Sequence, residues 1–153
     1  MIFLACTQGE LIPTDCANVR WLDMGADYEL ARRYWEGWGQ TLSFNVWKTA
    51  HAYGYQYAAI VEREGIISSA GVWRFSEECW EVAAVSTLAS HRRQGYSRRV
   101  VAFITAYIHA SNRLATCSTG DENIAMIATA RSVGFRPVPA EQVWWRYPQL
   151  PDF

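Results

Sequence analysis

The residues best suited to chemistry in this sequence form a short polar turn around one glycine, Arg92-Arg93-Gln94-Gly95-Tyr96-Ser97. Guanidinium groups are always charged and pair with phosphate oxygens in a fork. Where such a turn opens a helix, the first amide N–H groups have no internal acceptor, and the helix dipole adds partial positive charge. The turn is therefore predicted to bind phosphate through the amides of residues 94–97. Three arginines supply charge beside it: Arg92, Arg93 and Arg98.

The turn is predicted to join a strand to a helix. Residues 81–88 are rich in β-branched side chains, which favours a strand, while residues 100–108 carry apolar side chains along one helical stripe. Because alternate residues of a strand share a face, four side chains are expected to point the same way: Glu81, Ala83, Val85 and Thr87.

The remaining sequence predicts further strands and helices. Residues 57–63 and 65–75 are typical of two strands joined by a tight turn, and with residues 81–88 they predict a meander. Strands are also expected at 2–5, 19–22, 114–118 and 142–147, and residues 44–47 fit a short helix or a loop. One helix is expected to run from Asp23 to a stop at Gly39, and another from a Thr119 or Asp121 cap to Gly134.

Two motifs, in this order along the chain, resemble the GNAT acyltransferases. Arg92-x-x-Gly95-x-Ser97 after a strand is similar to the pyrophosphate loop of that family, Q/R-x-x-G-x-G/A, with Ser97 as the last small residue. Asn123 and Gly134-Phe135 stand at the family's N-x(10)-G-F spacing. The resemblance implies one α/β (α+β) domain over residues 1–153. Its mixed, largely antiparallel sheet would be flanked by helices and splayed between the strands at 81–88 and 114–118.

The resemblance also implies a reaction: transfer of an acetyl group from acetyl-CoA to a primary amine of a small molecule or peptide, by direct attack in a ternary complex. Glu81 stands eleven residues before Arg92, about where the histone acetyltransferase branch has its general base. An alkylammonium has a pKa near 10, and a base that removes its proton contributes typically about 10²- to 10⁴-fold. Three alternatives remain. Glu78 could be the base instead, the reaction could use no protein base, or Glu81 could be an ordinary solvated surface residue.

Two backbone roles follow from the same resemblance. The N–H of Val85 would bind the thioester oxygen as charge develops on it. The backbone of Val85 and Thr87 would pair with the pantetheine amides. Asn123 would contact the cofactor arm, although an asparagine there also fits a helix N-cap, and Gly134-Phe135 is expected to be structural.

One position differs from the family pattern. Seven residues after the family's asparagine, where a tyrosine often protonates the departing thiolate, this sequence has Ala130. The thiolate could leave unassisted or protonated by water, since a thiol pKa near 8.5 makes it a fair leaving group. Alternatively, another hydroxyl donates the proton, with Tyr96, Ser118 and Thr129 as candidates. A third interpretation is a non-catalytic acyl-CoA-binding or regulatory module.

Composition narrows the class of protein. A formal net charge of −1 offers no basic field for nucleic acid. Four scattered cysteines and three scattered histidines predict neither a metal site nor a disulfide framework. Residues 1–6 are apolar but too short for a signal peptide or an anchor, so a cytoplasmic protein without membrane contact is expected.

The acceptor side is the least readable part of the sequence. Aromatic residues are frequent between 28 and 57; most are expected in the core, and a few could attract an amine's ammonium with their ring faces. His51 and Cys117 are minor candidates for a functional role. Val143-Trp144-Trp145 is a candidate surface for a homodimer.

Overall fold

A computed structural model of the chain describes residues 1–139, and these residues form one seven-stranded sheet. The strands are β1 (Ile2–Cys6), β2 (Val19–Trp21), β3 (Tyr55–Glu62), β4 (Gly65–Trp73), β5 (Cys79–Thr87), β6 (Leu114–Thr119) and β7 (Arg136–Val138). Their spatial order is β2-β3-β4-β5-β6-β1-β7, and every neighbouring pair is antiparallel except β5 and β6. The mixed, largely antiparallel sheet predicted from the sequence is confirmed.

Within residues 1–139, four α-helices cover the two faces of the sheet. They are α1 (Tyr28–Glu36), α2 (Phe44–Ala52), α3 (Tyr96–Ala110) and α4 (Ile124–Val133). The predicted stripe of α3 packs against β4 and β5, where Val100, Ile104 and Ile108 are fully buried. A second cluster, built around Tyr34 and Trp47, holds α1 and α2 against the other face. The sheet thus has α3 and α4 on one face and α1 and α2 on the other.

The start of α1 differs from the sequence prediction. The helix begins at Tyr28 rather than near Asp23, because the Asp23 carboxylate accepts hydrogen bonds from the N–H groups of Gly25 (2.9 Å) and Ala26 (2.7 Å). This Asx-type bonding satisfies the backbone in a turn and competes with helix formation.

A bulge in β5 corrects the prediction that Glu81, Ala83, Val85 and Thr87 share one face. Ser69 of β4 pairs with Ser86, whereas Gly71 pairs with Ala83, so one residue of β4 faces two of β5. Ala84 at this point has a φ of 52°. An inserted residue shifts the alternation of side chains by one position.

The bulge therefore splits β5 into two halves of opposite phase. Before it, Glu81 pairs in register with Trp73 and lies on the face of α1 and α2. After it, Val85 packs with the α3 core, and the Thr87 hydroxyl lies 2.6 Å from that of Ser97 on α3. Ser86 takes the α1 side, with its Oγ 2.7 Å from the hydroxyl of Tyr34.

Strands β5 and β6 separate along their length. Their parallel pairing runs only from Cys79↔Leu114 to Glu81↔Thr116, although β5 continues to Thr87 and β6 to Thr119. Beyond Glu81 the backbone of β5 on this side has no strand partner among the described residues. The predicted splay between these strands is confirmed.

The end of α4 follows the prediction, and its start is at one of the positions that the sequence left open. Gly134 terminates the helix with a φ of 119°, and Phe135 is 3% exposed in the core. The N-cap is Asn123, not Thr119 or Asp121; its side chain accepts a hydrogen bond from the Met126 N–H at 3.2 Å.

Near the end of the chain the observed and predicted strands differ. Strand β7, which pairs with β1, was not predicted. Three residues that include Pro137 give no alternation to detect, and a proline without an N–H fits only a sheet edge such as this one. The predicted strand at 142–147 and the candidate dimer surface Val143-Trp144-Trp145 lie outside the described residues.

Candidate active site

The arginine-rich turn forms the N-terminus of α3. Gly95 is the N-cap residue with a φ of 82°, and Arg93 two residues earlier also has a positive φ of 61°. The first backbone bond of the helix runs from the Arg99 N–H to the Gly95 carbonyl at 3.2 Å. The N–H groups of residues 96–98 therefore have no acceptor within the helix, and they point out of its end. The local geometry is that of an anion site.

A chain of hydroxyl groups fastens this turn to the sheet. Ser97 Oγ lies 2.6 Å from Thr87 Oγ1, and Thr87 Oγ1 lies 2.8 Å from Ser68 Oγ on β4. Ser97 occupies the position where the resemblance has glycine or alanine. Its extra hydroxyl is accommodated because Thr87 provides a partner.

The arginines of the turn have different surroundings. Arg92 donates from Nε to the Thr87 carbonyl at 3.3 Å, and its guanidinium lies 5.8 Å from the ring centroid of Trp38. Arg93 is exposed. Arg98 is half-buried, and within residues 1–139 its Nε has no hydrogen-bond partner. An uncompensated buried donor of this kind favours an anionic ligand.

A cavity of about 950 Å³ opens in front of the turn. Its walls are the end of α1 with the residues that follow it, the end of β5 from the bulge onwards, the turn with the first residues of α3, and the first half of α4. Most of the site residues predicted from the sequence line it: Val85, Thr87, Arg92, Arg93, Gly95, Tyr96, Ser97, Arg98 and Asn123. None of the described residues that line this cavity is acidic.

Two predicted site residues do not line this cavity. Gln94 is exposed at the outside of the turn. Glu81 is only 8% exposed, lies before the bulge, and accepts a hydrogen bond from Ser118 Oγ at 2.9 Å. Three residues separate Glu81 from Val85, and they include the bulge at Ala84.

Several lining residues were not singled out by the sequence. They are Trp35 at the end of α1, Trp38 and Gln40 just after it, Ser86 on β5 and Met126 on α4. The two tryptophans belong to the aromatic stretch expected mainly in the core, and Trp38 is in fact 40% exposed. A large aromatic side chain left half in solvent beside a cavity is a signal for ligand contact that only the structure reveals.

Helix α4 contributes Asn123 and Thr129 but not Ala130. The Asn123 side chain is engaged in the helix cap and also donates to Thr119 Oγ1 at 3.0 Å. Ala130 is fully buried in the main core, whereas Thr129 faces the cavity. Ser118, another candidate hydroxyl, already donates its proton in a hydrogen bond to Glu81.

The minor candidates have structural partners. His51 Nδ1 lies 2.8 Å from the Trp47 carbonyl, and its ring packs against Trp47 and Tyr57. Cys117 is 2% exposed, and burial, with the nearby Glu81 charge adding to it, raises its pKa to about 12. A thiol that stays protonated at neutral pH is a poor nucleophile.

One group of possible metal ligands occurs among the described residues: Glu62, Glu64 and His91. Both glutamates are exposed, and His91 already contacts Glu64 Oε1 at 3.1 Å and Ser90 Oγ at 2.8 Å. The arrangement is an ordinary surface contact between a histidine and a carboxylate.

The family of the chain follows from comparison with known proteins. The family model for the acetyltransferase (GNAT) family matches residues 21–135. The chain therefore belongs to this family, and the resemblance inferred from the sequence is confirmed at that level. The curated proteins include none with a significant match to this sequence.

Solved structures share the fold. A protein from Novosphingobium aromaticivorans assigned to the GNAT acetyltransferases superposes with a TM-score of 0.70 at 19% identity, covering 90% of this chain and 60% of that one. A GCN5-related N-acetyltransferase from Kribbella flavida has a TM-score of 0.62 at 23% identity, with 89% and 53% covered. The chain thus spans little more than half the length of these two proteins.

A third similar structure contains a ligand. It is AAC(6')-Iy in complex with the bisubstrate analog CoA-S-monomethyl-acetylneamine, with a TM-score of 0.64 at 14% identity, covering 77% of this chain and 89% of that one. Separately, no helix within residues 1–139 is long and apolar enough to cross a membrane.

Proposed function

We propose that this protein transfers an acetyl group from acetyl-CoA to a primary amine of a small molecule or peptide, by direct attack in a ternary complex. The observation that carries the proposal is the cavity at the N-terminus of α3. The cavity is lined by the unbonded amides at the start of α3, by three arginines and by the part of β5 that no longer pairs with β6. Membership of the GNAT family and the CoA-derived ligand of AAC(6')-Iy support this choice of donor.

The residues present fit acetyl-CoA. A pyrophosphate needs N–H donors and positive charge, and the amides of residues 96–98 with Arg92, Arg93 and Arg98 offer both. Amide groups of the pantetheine need backbone partners, which the unpaired edge of β5 from Val85 to Thr87 provides. Acetyl-CoA, when bound, supplies an activated thioester carbonyl.

Val85 is proposed to stabilise the oxygen of that carbonyl. Its N–H follows the bulge at Ala84, where the regular pairing with β4 is interrupted. A fixed backbone donor aimed at developing negative charge is worth several kcal/mol in acyl transfer, about 3 to 4 by analogy with other oxyanion sites.

Glu81 is proposed as the base that takes the amine's proton through bound water. Transfer through water is favoured over direct contact because Glu81 is buried, accepts a hydrogen bond from Ser118 and lies on the other side of the bulge from Val85. If Glu81→Gln acetylates amines as fast as the wild type while still binding acetyl-CoA, the base is not Glu81.

A second candidate function is acyl-CoA binding without turnover. The observation that favours it is Ala130, which is buried in the core at the position where the family often has an acid. Measured turnover separates the two functions, because a binding module would retain acetyl-CoA without releasing CoA.

The first experiment measures acetyl-CoA binding by calorimetry for the wild type and for a double variant, Arg93→Ala with Gly95→Asp. Micromolar binding that the double variant abolishes is the expected result, and a panel of amines is then screened for acetylation. An absence of binding even at millimolar acetyl-CoA would overturn the proposal.

A further inference from the structure

The cavity contains several hydroxyl groups that could replace the acid missing at position 130. Among the described residues they are Ser86, Thr87, Tyr96, Ser97 and Thr129. The hydroxyl groups of Thr87 and Ser97 are hydrogen-bonded to each other, and Thr87 is also hydrogen-bonded to Ser68. Their protons are therefore engaged in these hydrogen bonds. Tyr96 lies in the first turn of α3, beside His91 and Arg99, at the phosphate end.

Ser86 is placed differently. It directly follows Val85, whose N–H is proposed to bind the carbonyl oxygen, and the bulge turns its side chain towards α1. The oxygen and the sulfur of a thioester are bonded to the same carbon. A carbonyl held at Val85 therefore brings the sulfur near the residues on either side, Ala84 and Ser86, of which only Ser86 has a hydroxyl.

Tyr34 stands behind Ser86. Its hydroxyl lies 2.7 Å from Ser86 Oγ, and the residue is 5% exposed, with its ring against Trp35 and Trp38. Either hydroxyl can donate in this pair. When the phenol, which is the stronger acid, donates to Ser86, the Ser86 proton is left to face the cavity. Burial raises the pKa of Tyr34, against the opposing effects of the hydrogen bond to Ser86 and the charge of Arg92. The phenol is thus protonated at neutral pH.

We infer that Ser86, supplied with a proton by Tyr34, is the general acid of the acetyl transfer. The inference rests on the proposed function. As the new C–N bond forms and the C–S bond breaks, the departing sulfur takes the Ser86 proton, and Ser86 takes the proton of Tyr34. An ammonium acceptor loses two protons in the reaction. Glu81 takes the first before attack, and the second, released by the nitrogen once the C–N bond has formed, reprotonates the Tyr34 phenolate, which the nearby positive charge of Arg92 stabilises meanwhile.

Kinetics of matched variants test the proton path. Tyr34→Phe and Ser86→Ala are each expected to lower kcat by roughly 10- to 100-fold with little change in the KM of acetyl-CoA, and the double variant to be no slower than the slower single one. Tyr28→Phe is the control, because it removes another α1 phenol, which donates to the Leu42 carbonyl at 2.7 Å. Tyr28→Phe should stay within about twofold of the wild type, and Thr129→Val tests whether the rival hydroxyl on α4 supplies the proton instead.

A second measurement does not depend on turnover. The thiol of bound CoA is titrated by its thiolate absorbance in the wild type and in Ser86→Ala. A hydrogen bond to the thiolate favours the charged form, so the thiol pKa is expected to rise when Ser86 is replaced. A merely structural serine would leave this pKa unchanged.

The outcomes separate the inference from the function on which it rests. If the wild type acetylates amines but Tyr34→Phe and Ser86→Ala keep their kcat and the thiol pKa does not move, the inference alone is overturned. A large loss of kcat in Thr129→Val, with Ser86→Ala unaffected, would assign the acid to α4 instead. If the wild type binds acetyl-CoA but acetylates no amine, the proposed function and the inference both fail.

Discussion

The glycine at the end of α4 provides a prediction whose size can be worked out from the structure. Gly134 has a φ of 119°, and a Cβ added there would overlap the carbonyl oxygen of Glu10 and lie 3.0 Å from its carbonyl carbon. The obstacle is backbone, and it cannot swing aside, because the Ile12 N–H donates to the Val133 carbonyl at 2.9 Å and ties the same segment to α4. Gly134→Ala is therefore expected to be strongly destabilising.

Gly65 offers a matched control. It has nearly the same φ, 116°, but a Cβ there would meet nothing within 4 Å. Gly65→Ala thus reports the backbone strain alone, roughly 1–3 kcal/mol. The change in unfolded-state entropy is the same for both substitutions and cancels in the comparison.

The expected loss at Gly134 is the strain plus the cost of overpacking, which is roughly 1–3 kcal/mol more. Unfolding in urea gives both free energies, and the account predicts that Gly134→Ala loses at least about 1 kcal/mol more than Gly65→Ala. Equal losses would show that the contact between the end of α4 and Glu10 is not as tight as described.

Three further predictions concern the turn, the acid stability and the buried thiol. Gly95→Asp should weaken acetyl-CoA binding by about 1–3 kcal/mol relative to the isosteric Gly95→Asn. A negative charge about 5 Å from a phosphate costs that much at effective dielectric constants of 80 to 20. Equal affinities of the two variants by calorimetry would place the phosphates elsewhere. Hydrogen bonds from Arg20 lower the pKa of Asp27, which therefore stabilises the fold above the unfolded pKa near 3.9 and loses this contribution as pH falls below it. Asp27→Asn should thus unfold more easily than the wild type at pH 7, by a margin that shrinks as pH falls below about 4, and a margin that stays constant into acid would contradict this. Cys117 should resist thiol reagents in the native protein and react on unfolding, because it is buried with a pKa raised to about 12; native-state labelling at the rate of a free thiol would be the contrary result.

Much of the fold could be predicted because its signals are local. The stripe of α3 depends on apolar residues three and four positions apart, and the Gly95 turn depends on a residue type that tolerates a positive φ. The meander from β3 to β5 follows from three adjacent strand patterns. Each of these features needs only neighbouring residues.

The parts that escaped prediction depend on distant partners. The bulge at Ala84 has no local signal, since alanine has no preference for a φ of 52°; it arises from the register with β4. The pair Tyr34 and Ser86 is 52 residues apart in sequence, and only the packing of α1 on β5 brings it together. For the same reason the exposed Trp38 could not be distinguished from the core aromatic residues around it.

The most direct test of the account is a balance of acetyl transfer. The protein is incubated with acetyl-CoA and an amine found by screening, and released CoA thiol and N-acetylated amine are both quantified. We predict one acetylated amine for each CoA thiol released. The Arg93→Ala, Gly95→Asp double variant should form neither product. Thiol release without acetylated amine, or tight acetyl-CoA binding without either product, would contradict it.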